Sequence, residues 1–498
     1  MHPAAIVWTG DAVIHLRVAE LFAQGRGFEF NIGERVVATT STLWTLLESA
    51  LFRLFDPFAV VWIMKMINLV LWFLTVFLTA TVWGRAYRSR MIGAVVAALF
   101  AFNPGAFSNS VNGMEAPLLA ALQLSLFGIV LVWDQRAMRL LPVFLLSMAI
   151  ALTRPEGVIF CVLLGIFLLL RKRSVPWVGG ATLAGAATGL ALVLLLDQHF
   201  GGTLIPDSST ARVAAALRES TWIGPLHIHS RSIARFLAYL PVSAGLLVAF
   251  LRAMRRNSDR PELRTSEDSA LNSAAAFALL LTGTMLIFYT FVVGAMHMSR
   301  YWIPFFPFAM GVSAGTLVEL FRKQVARTER RAISVALAAA CIAWMIGIYA
   351  VEWRERAKTG FGYDHHLVAG AVRNRIRFTD EYLRTLGERR ESSIRVAVSE
   401  VQVRYFLADD VPIRILSLDG RTAGSFARFV DWRTGMRRLD RYLTEMRPDF
   451  VELGPCHPAE PILPEVARRI MQGETEIEVQ GFRFRRTGSP QLVQYLHE

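Results

Sequence analysis

FAVVWIMKMINLVLWFLTVFLTATVW, residues 58–83, decides the class of this chain: its 26 residues carry one ionisable side chain, Lys65. A helix rises about 1.5 Å per residue and the hydrocarbon core of a bilayer is about 30 Å thick, so ~20 mainly apolar residues cross it. Working outward, comparable runs recur at 91–107, 117–133, 140–153, 157–170, 175–196, 233–251, 271–294, 302–321 and 332–351, of which 140–153 is short. Ten candidate spans, with 54% hydrophobic residues overall, exclude an ordinary soluble globular protein.

The spaces between the runs alternate in character. Arg85, Arg88 and Arg90, then Arg136 and Arg139, then Arg171, Lys172 and Arg173, then 252–264 and 322–331 make every second loop basic. Basic loops stay in the cytoplasm, so the intervening loops at 103–116, 153–156, 197–232 and 296–301 face outward. The same distribution accounts for much of the +13 net charge without nucleic acid. Parity then puts residues 1–57 outside. The apolar stretch 42–55, with Glu48 and Arg53, reads as a helix lying in the outer interface. Trp44, Trp222 and Trp302 read as members of the interfacial aromatic belt. The residues before Gly10 are too few to span, and the expectation is that the start is late and cuts off a first membrane helix. No cleavable signal peptide opens the chain.

Composition changes after Val351. Charges of both signs mix from Glu352 to Glu498. Strand-like runs at 394–399, 412–419, 449–454 and 476–486, with helical patterns at 364–388 and 431–447, predict a soluble α/β domain with a partly parallel sheet. The chain therefore divides into a multi-spanning region, 1–351, and an outer domain, 352–498. Cys161, Cys341 and Cys456 form neither a disulfide framework nor a metal knuckle.

The outward segments concentrate the chemistry. The first holds Asp11, Arg17 and Asn31; the next Glu115; then Arg154 and Glu156; then Asp207 and Arg212; then His297, Arg300 and Tyr301. Charges at one membrane depth are costly unless paired or wetted, so they are candidates for function. Arginine grips phosphate oxygens with a two-pronged fork, and a carboxylate can take a proton from an acceptor hydroxyl. A ring of both suits transfer from a phosphate-linked donor held in the membrane. Simpler roles compete: Asp11 as a cap of helix 12–24, Asn31 in a turn before Gly33, Asp207 in an Asx turn, Arg154 and Arg300 as snorkelling anchors, and Glu115 as a scaffold partner of an arginine. His227 and His229 are spaced like ligands but have no carboxylate nearby in sequence, and no metal site is expected.

The order GDAVIHLR (10–17), GRGFEFNIGERV (25–36), TSTLW (40–44), GMEAPL (113–118), TRPEG (153–157), GTLIPDSSTAR (202–212) and SRYWIPFFP (299–307), followed by the α/β domain, resembles the multi-spanning GT-C glycosyltransferases. Among these it looks most like the mycobacterial terminal arabinofuranosyltransferase family. The resemblance covers nearly the whole chain. It implies an α-helical polytopic membrane protein of GT-C-like fold with a C-terminal α/β domain. It further implies inverting transfer of a sugar, plausibly arabinofuranose, from a polyprenyl-phosphate donor to a cell-envelope glycan or glycoprotein. The reaction would occur on the outer, periplasmic face of the bacterial cytoplasmic membrane. In that family an aspartate of the first outer loop acts at the reaction centre. The family's motif often reads Asp-Asp-Ala where this chain has Gly10-Asp11-Ala12, so Asp11 matches the second acid and the first is absent. Arg212 stands where the family often has lysine.

The expected roles are therefore Asp11 as base and Arg154, Arg212 and Arg300 as donor-phosphate contacts. Arg17, Asn31, Glu115, Glu156, Asp207, His297 and Tyr301 would position substrate. The partners are the lipid-linked sugar, the acceptor and the bilayer, with no nucleic acid and no cofactor; dependence on a divalent metal stays open. Rival readings are a flippase of lipid-linked saccharides and the same enzyme class using mannose or aminoarabinose.

Overall fold

The computed structural model describes residues 10–110, 112–133, 140–170, 176–202, 241–242, 244–249, 266–289, 301, 303–325, 331–358, 370, 372–387, 394–398, 403–418, 429–431, 436–453, 462–487 and 492–496. The chain forms two compact units. One gathers 1–62, 194–222 and 362–498; the other comprises 63–193 and 223–361. Composition places a boundary at 351/352, whereas the N-terminal segment up to Trp62 is grouped with the C-terminal domain.

The helical unit is built from α3 (Pro57–Ala86), α4 (Arg90–Ala101), α5 (Pro104–Ser110), α6 (Ala116–Phe127), α7 (Leu140–Thr153), α8 (Pro155–Leu170), α9 (Pro176–Leu196), α10 (Ser266–Ile287), α11 (Phe306–Val325) and α12 (Arg331–Lys358). Among the described residues two helices, Pro57–Ala86 and Pro176–Gly201, are long and apolar enough to cross a membrane. On α3, Met66, Val70, Phe73 and Phe77 recur at helical spacing and each is more than half exposed. An apolar stripe of that size facing water would be costly, whereas facing lipid it costs nothing.

The run expected to span 91–107 is broken. Pro104 has no N–H to donate and disfavours helical geometry at Asn103, so α4 stops at Ala101. Asn103 Oδ1 then accepts from Ala106 N at 2.8 Å and starts α5. Most of the expected span 233–251 lies outside the described residues, as does 290–294.

Close helix contacts need missing side chains. A Cβ on Gly311 would lie 1.8 Å from the Trp83 ring, so α11 reaches the indole only because the position is glycine. The Trp83 Nε1–H donates to Pro307 O at 3.0 Å, which satisfies the one polar atom of that fully buried ring. Tyr349 donates to Leu99 O at 2.7 Å and Trp353 to Phe102 O at 3.1 Å, fastening α12 to α4.

The other unit holds α1 (Gly10–Ala23), α2 (Thr42–Phe52), α13 (Arg375–Leu386), the short α14 (Val403–Phe406), α15 (Leu439–Met446) and α16 (Ile462–Met471). Its six-stranded sheet has the order β2-β1-β5-β8-β7-β6. These are β1 (Ile394–Val398), β2 (Ile413–Ser417), β5 (Phe450–Glu452), β6 (Glu476–Val479), β7 (Phe482–Arg486) and β8 (Leu492–Leu496). β1 runs parallel to β2 and β5, and the remaining pairs are antiparallel. The helix expected over 431–447 begins only at Leu439, because β3 (Val430–Asp431) and β4 (Met436–Arg437) pair as a short antiparallel ladder.

Alternation along the strands sorts the two faces. Ile394, Val396, Val398, Ile413 and Ile415 pack with Ile14, Val18, Phe28, Phe30 and Val36 of the N-terminal segment and with Tyr382, Leu383 and Leu386 of α13. Ala397, Leu416, Val451 and Val493 face the opposite way, onto Leu443 of α15 and Leu463 and Val466 of α16. The N-terminal segment thus supplies part of one layer of the C-terminal fold. This also corrects α2: Trp44 and Glu48 are buried rather than lying in an interfacial belt. Thr45 Oγ1 lies 3.4 Å from His15 Nδ1 and donates to Ser41 O at 2.9 Å, so polar residues line the α1–α2 contact.

Candidate active site

Two clusters of charged side chains stand out, one in each unit. In the helical unit the Thr153-Arg154-Pro155 sequence turns the chain sharply between α7 and α8. Pro155 opens α8, Gly157 N donates to Arg154 O at 2.9 Å, and a Cβ on Gly157 would meet Ile150 O at 2.3 Å. The turn points Arg154 at two acids. Its Nε and Nη2 donate to Glu156 at 3.0 and 2.8 Å, and its Nη1 donates to Glu115 at the start of α6. Tyr289 donates to Glu156 Oε1 at 3.0 Å, and the Arg154 guanidinium lies 5.4 Å from the Tyr301 ring centroid. All five side chains are buried. The expected phosphate contact at Arg154 is therefore not open in this state: all three guanidinium nitrogens are held by carboxylates. Glu115 keeps Oε2 without a hydrogen-bond partner among the described residues.

In the other unit, Asp11 sits in the first turn of α1 and is partly exposed. Arg17, expected to position substrate, is fully buried and spent within the protein. Its Nε donates to Phe30 O at 3.2 Å, Nη1 reaches Glu20 at 3.4 Å and Nη2 reaches Asp409 at 2.7 Å. Arg375 donates twice to Glu20, both at 2.9 Å, and lies 4.6 Å from the Tyr405 ring centroid. Arg404 Nη2 lies 3.4 Å from Asp409.

The charges act on one another. Partial burial alone would raise the Asp409 carboxyl, but Arg17, then Arg404 and Arg375, hold it below the usual carboxylate range. Burial, then the charge of Arg17, pull the Arg404 guanidinium down to about 9, with Asp409 opposing. Burial also works against the charge of Arg375, yet Tyr405 and Glu20 outweigh it and raise its pKa.

Asn31 likewise has a structural task. Its amide donates to Ile415 O at 2.8 Å and accepts from Ile415 N at 3.0 Å, so one side chain imitates a neighbouring strand along the free edge of β2. Glu34 holds the same place, accepting from Asn31 at 3.0 Å and from Arg414 at 3.2 Å. Arg212, Asp207, His297 and Arg300 lie outside the described residues. No group of three or more His, Cys, Asp or Glu able to hold a metal occurs among the described residues.

Sequence reasoning missed Glu20, Tyr289, Thr379, Arg375, Arg404 and Asp409. Some of their contacts are local, but those that join α1 to the C-terminal domain reach across 355 residues for Glu20 and Arg375 and 392 for Arg17 and Asp409, and no local spacing announces these.

Comparison with solved structures shows the fold. Archaeoglobus fulgidus oligosaccharyltransferase, in a complex with zinc and sulfate, aligns with a TM-score of 0.51 at 14% identity, over 89% of this chain and 64% of that one. ArnT from Cupriavidus metallidurans, bound to undecaprenyl phosphate, aligns with a TM-score of 0.47 at 13% identity, over 97% and 93% of the two chains. No protein-family model matches the chain. In sequence, the terminal β-(1→2)-arabinofuranosyltransferase of Mycobacterium tuberculosis is 28% identical over 262 residues. That match spans 50% of this chain and 41% of the relative, less than half of the relative's length. The sequence likeness is thus to a terminal arabinofuranosyltransferase, and the fold likeness to an oligosaccharyltransferase, both of them glycosyltransferases.

Proposed function

We propose that this protein is a membrane glycosyltransferase. It moves a sugar, arabinofuranose in our reading, from a polyprenyl-phosphate donor to a glycan or glycoprotein of the cell envelope. Transfer takes place on the outer face of the cytoplasmic membrane. The observation that carries the proposal is the sequence similarity to a terminal arabinofuranosyltransferase over half of the chain. The oligosaccharyltransferase-like fold supports it.

In the reaction we propose, the Asp11 carboxylate takes the proton of the acceptor hydroxyl. The hydroxyl oxygen bonds to the anomeric carbon as the carbon–oxygen bond to phosphate breaks. The bonding pair leaves with the polyprenyl phosphate, in one displacement that inverts the anomeric centre. Asp11 fits the role because it is a partly exposed carboxylate on a helix whose other charged groups are buried. Arg212 and Arg300 are the proposed phosphate contacts, since a guanidinium keeps its charge and forks onto phosphate oxygens. Asp207 and His297 remain proposed substrate contacts. Arg154 is better suited to fixing Glu115 and Glu156, and Glu115, fully buried, is better suited to bracing that turn than to meeting a sugar.

The test is donor-dependent product formation by purified protein, with decaprenyl-phosphoryl arabinofuranose and an arabinan oligosaccharide. Elongation by one pentose supports the proposal. Passage of the intact lipid-linked sugar across a vesicle membrane, with no product, would replace it with a flippase. Activity only with a mannosyl or aminoarabinosyl donor would keep the class and change the sugar.

A further inference from the structure

We propose that the C-terminal domain sets the rate of the chemical step by clamping α1, and that Asp409 and Thr379 are positioning residues for Asp11. The inference rests on the reading above that Asp11 takes the acceptor proton.

The contacts close into a ring. Arg17 of α1 meets Asp409 at 2.7 Å. Beside Asp409 in the chain, Ala408 N donates to Thr379 Oγ1 at 2.7 Å. Thr379 Oγ1 in turn donates to Arg375 O at 2.8 Å, fixing both to α13. Arg375 returns to α1 through two bonds to Glu20, each 2.9 Å, and Glu20 meets Arg17 at 3.4 Å. Arg17 also donates to Phe30 O at 3.2 Å, so the ring holds the chain that follows α1 as well.

Every member is thereby tied to another element, and Arg17 is 0% exposed. A side chain so enclosed cannot reach a substrate; what it fixes is the helix that carries it. Asp11 lies six residues before Arg17, about 9 Å along the helix axis at 1.5 Å per residue. A helix is stiff over that distance, so a shift at Arg17 is delivered to Asp11. A misplacement of about 1 Å at a reacting group can cost about a hundredfold in rate. Apolar packing on the sheet would hold α1 in place without any of these charges, through Ile14 and Val18. The ring adds rotation and register, which apolar contacts define loosely.

The experiment compares Asp409→Asn, Asp409→Glu and Thr379→Val with the unaltered protein. Transfer is measured from decaprenyl-phosphoryl arabinofuranose to an arabinan oligosaccharide, and amide exchange is measured over residues 10–23. Asp409→Asn is expected to lower kcat by about tenfold to a hundredfold at unchanged KM for both substrates. It should also raise exchange in α1, and Asp409→Glu should recover most of kcat. Thr379→Val breaks the ring without stranding a charge, and its kcat should fall in the same sense even if Asp409→Asn does not fold. A raised KM for the oligosaccharide at unchanged kcat would overturn the proposal and make the domain an acceptor-binding module. Unchanged kcat and unchanged exchange in α1 would also overturn it. Asp11→Asn separates the two ideas. If that variant is fully active, the assignment of Asp11 fails, and the exchange data still decide whether the ring holds α1.

Discussion

The Arg154 cluster gives a ranking that simple charge counting does not. One cation faces two buried carboxylates, Glu115 and Glu156, so the group carries a net negative charge. Glu115→Gln leaves a neutral pair with its two-pronged contact intact, and the new amide oxygen still accepts from Nη1. The loss is one charge assistance, about 1 kcal/mol. Glu156→Gln is worse. The amide nitrogen turns a donor toward a guanidinium that can only donate, and of the bonds to Arg154 and Tyr289 at 2.8–3.0 Å part is lost. About 2–3 kcal/mol is expected, the value of a hydrogen bond to a charged group plus a stranded donor. Arg154→Met strands two carboxylates in one buried site, and removal of one partner of a buried pair costs about 3–5 kcal/mol. Thermal unfolding midpoints, read in one detergent at one pH, should fall in the order Glu115→Gln, Glu156→Gln, Arg154→Met. Lowering the pH should narrow the deficit of Arg154→Met, because protonation discharges the stranded acids. If Arg154→Met unfolds with Glu115→Gln, the cluster does not hold α6, α7 and α8 together and the argument fails.

Asn31→Asp should destabilise by about 2–3 kcal/mol, since a carboxylate cannot donate to Ile415 O and leaves a strand carbonyl unpaired; faster amide exchange at 413–417 is the check. Gly311→Ala should cost about 1–3 kcal/mol or prevent folding, because its Cβ would enter the Trp83 ring, and tryptophan fluorescence during unfolding reports it. The Asp409 carboxyl has a folded pKa below its unfolded value, so its contribution is fully present above about pH 4 and is lost as pH falls through the folded value. Amide exchange over residues 10–23, corrected for intrinsic rate, should stay flat from neutral pH to about 5 and rise below about 4, and Asp409→Asn should abolish that rise.

Much of the helical region is legible from hydropathy, and the reasons for the departures are local. Residues 140–153, a short candidate, form a helix with the expected bounds, because Pro142 sits in its first turn, where no N–H is needed, and the rest of the run is mainly apolar. Span 91–107 fails as one helix because Pro104 overrides hydropathy. The strands at 394–398 and 413–417 are legible as runs rich in isoleucine and valine, whereas β8 at Leu492–Leu496, of the same length, lies outside the expected strands.

Residue types at the site were legible, but their partners were not. TRPEG and GMEAPL show Arg154, Glu156 and Glu115 as charged residues at helix starts. Pairing of Glu115 with an arginine is one of the expected roles, but nothing local says that the arginine is Arg154, 39 residues away. Substrate contact at Arg17 and Asn31, for Asn31 beside a turn role, is the expectation because sequence gives no sign of Asp409 or Ile415 beside them. Charge at a loop signals that a charge must be satisfied; it does not say whether a ligand or the protein does so.

The central claim is that Asp11 takes the proton of the acceptor hydroxyl. Steady-state transfer from decaprenyl-phosphoryl arabinofuranose by Asp11→Asn, in protein shown to be folded by an unchanged unfolding midpoint, tests it most directly. If Asp11 is the base, kcat falls by about a hundredfold or more, since a general base contributes about 10²–10⁴-fold, with the KM for the donor little changed. Turnover within a fewfold of the unaltered enzyme would contradict it.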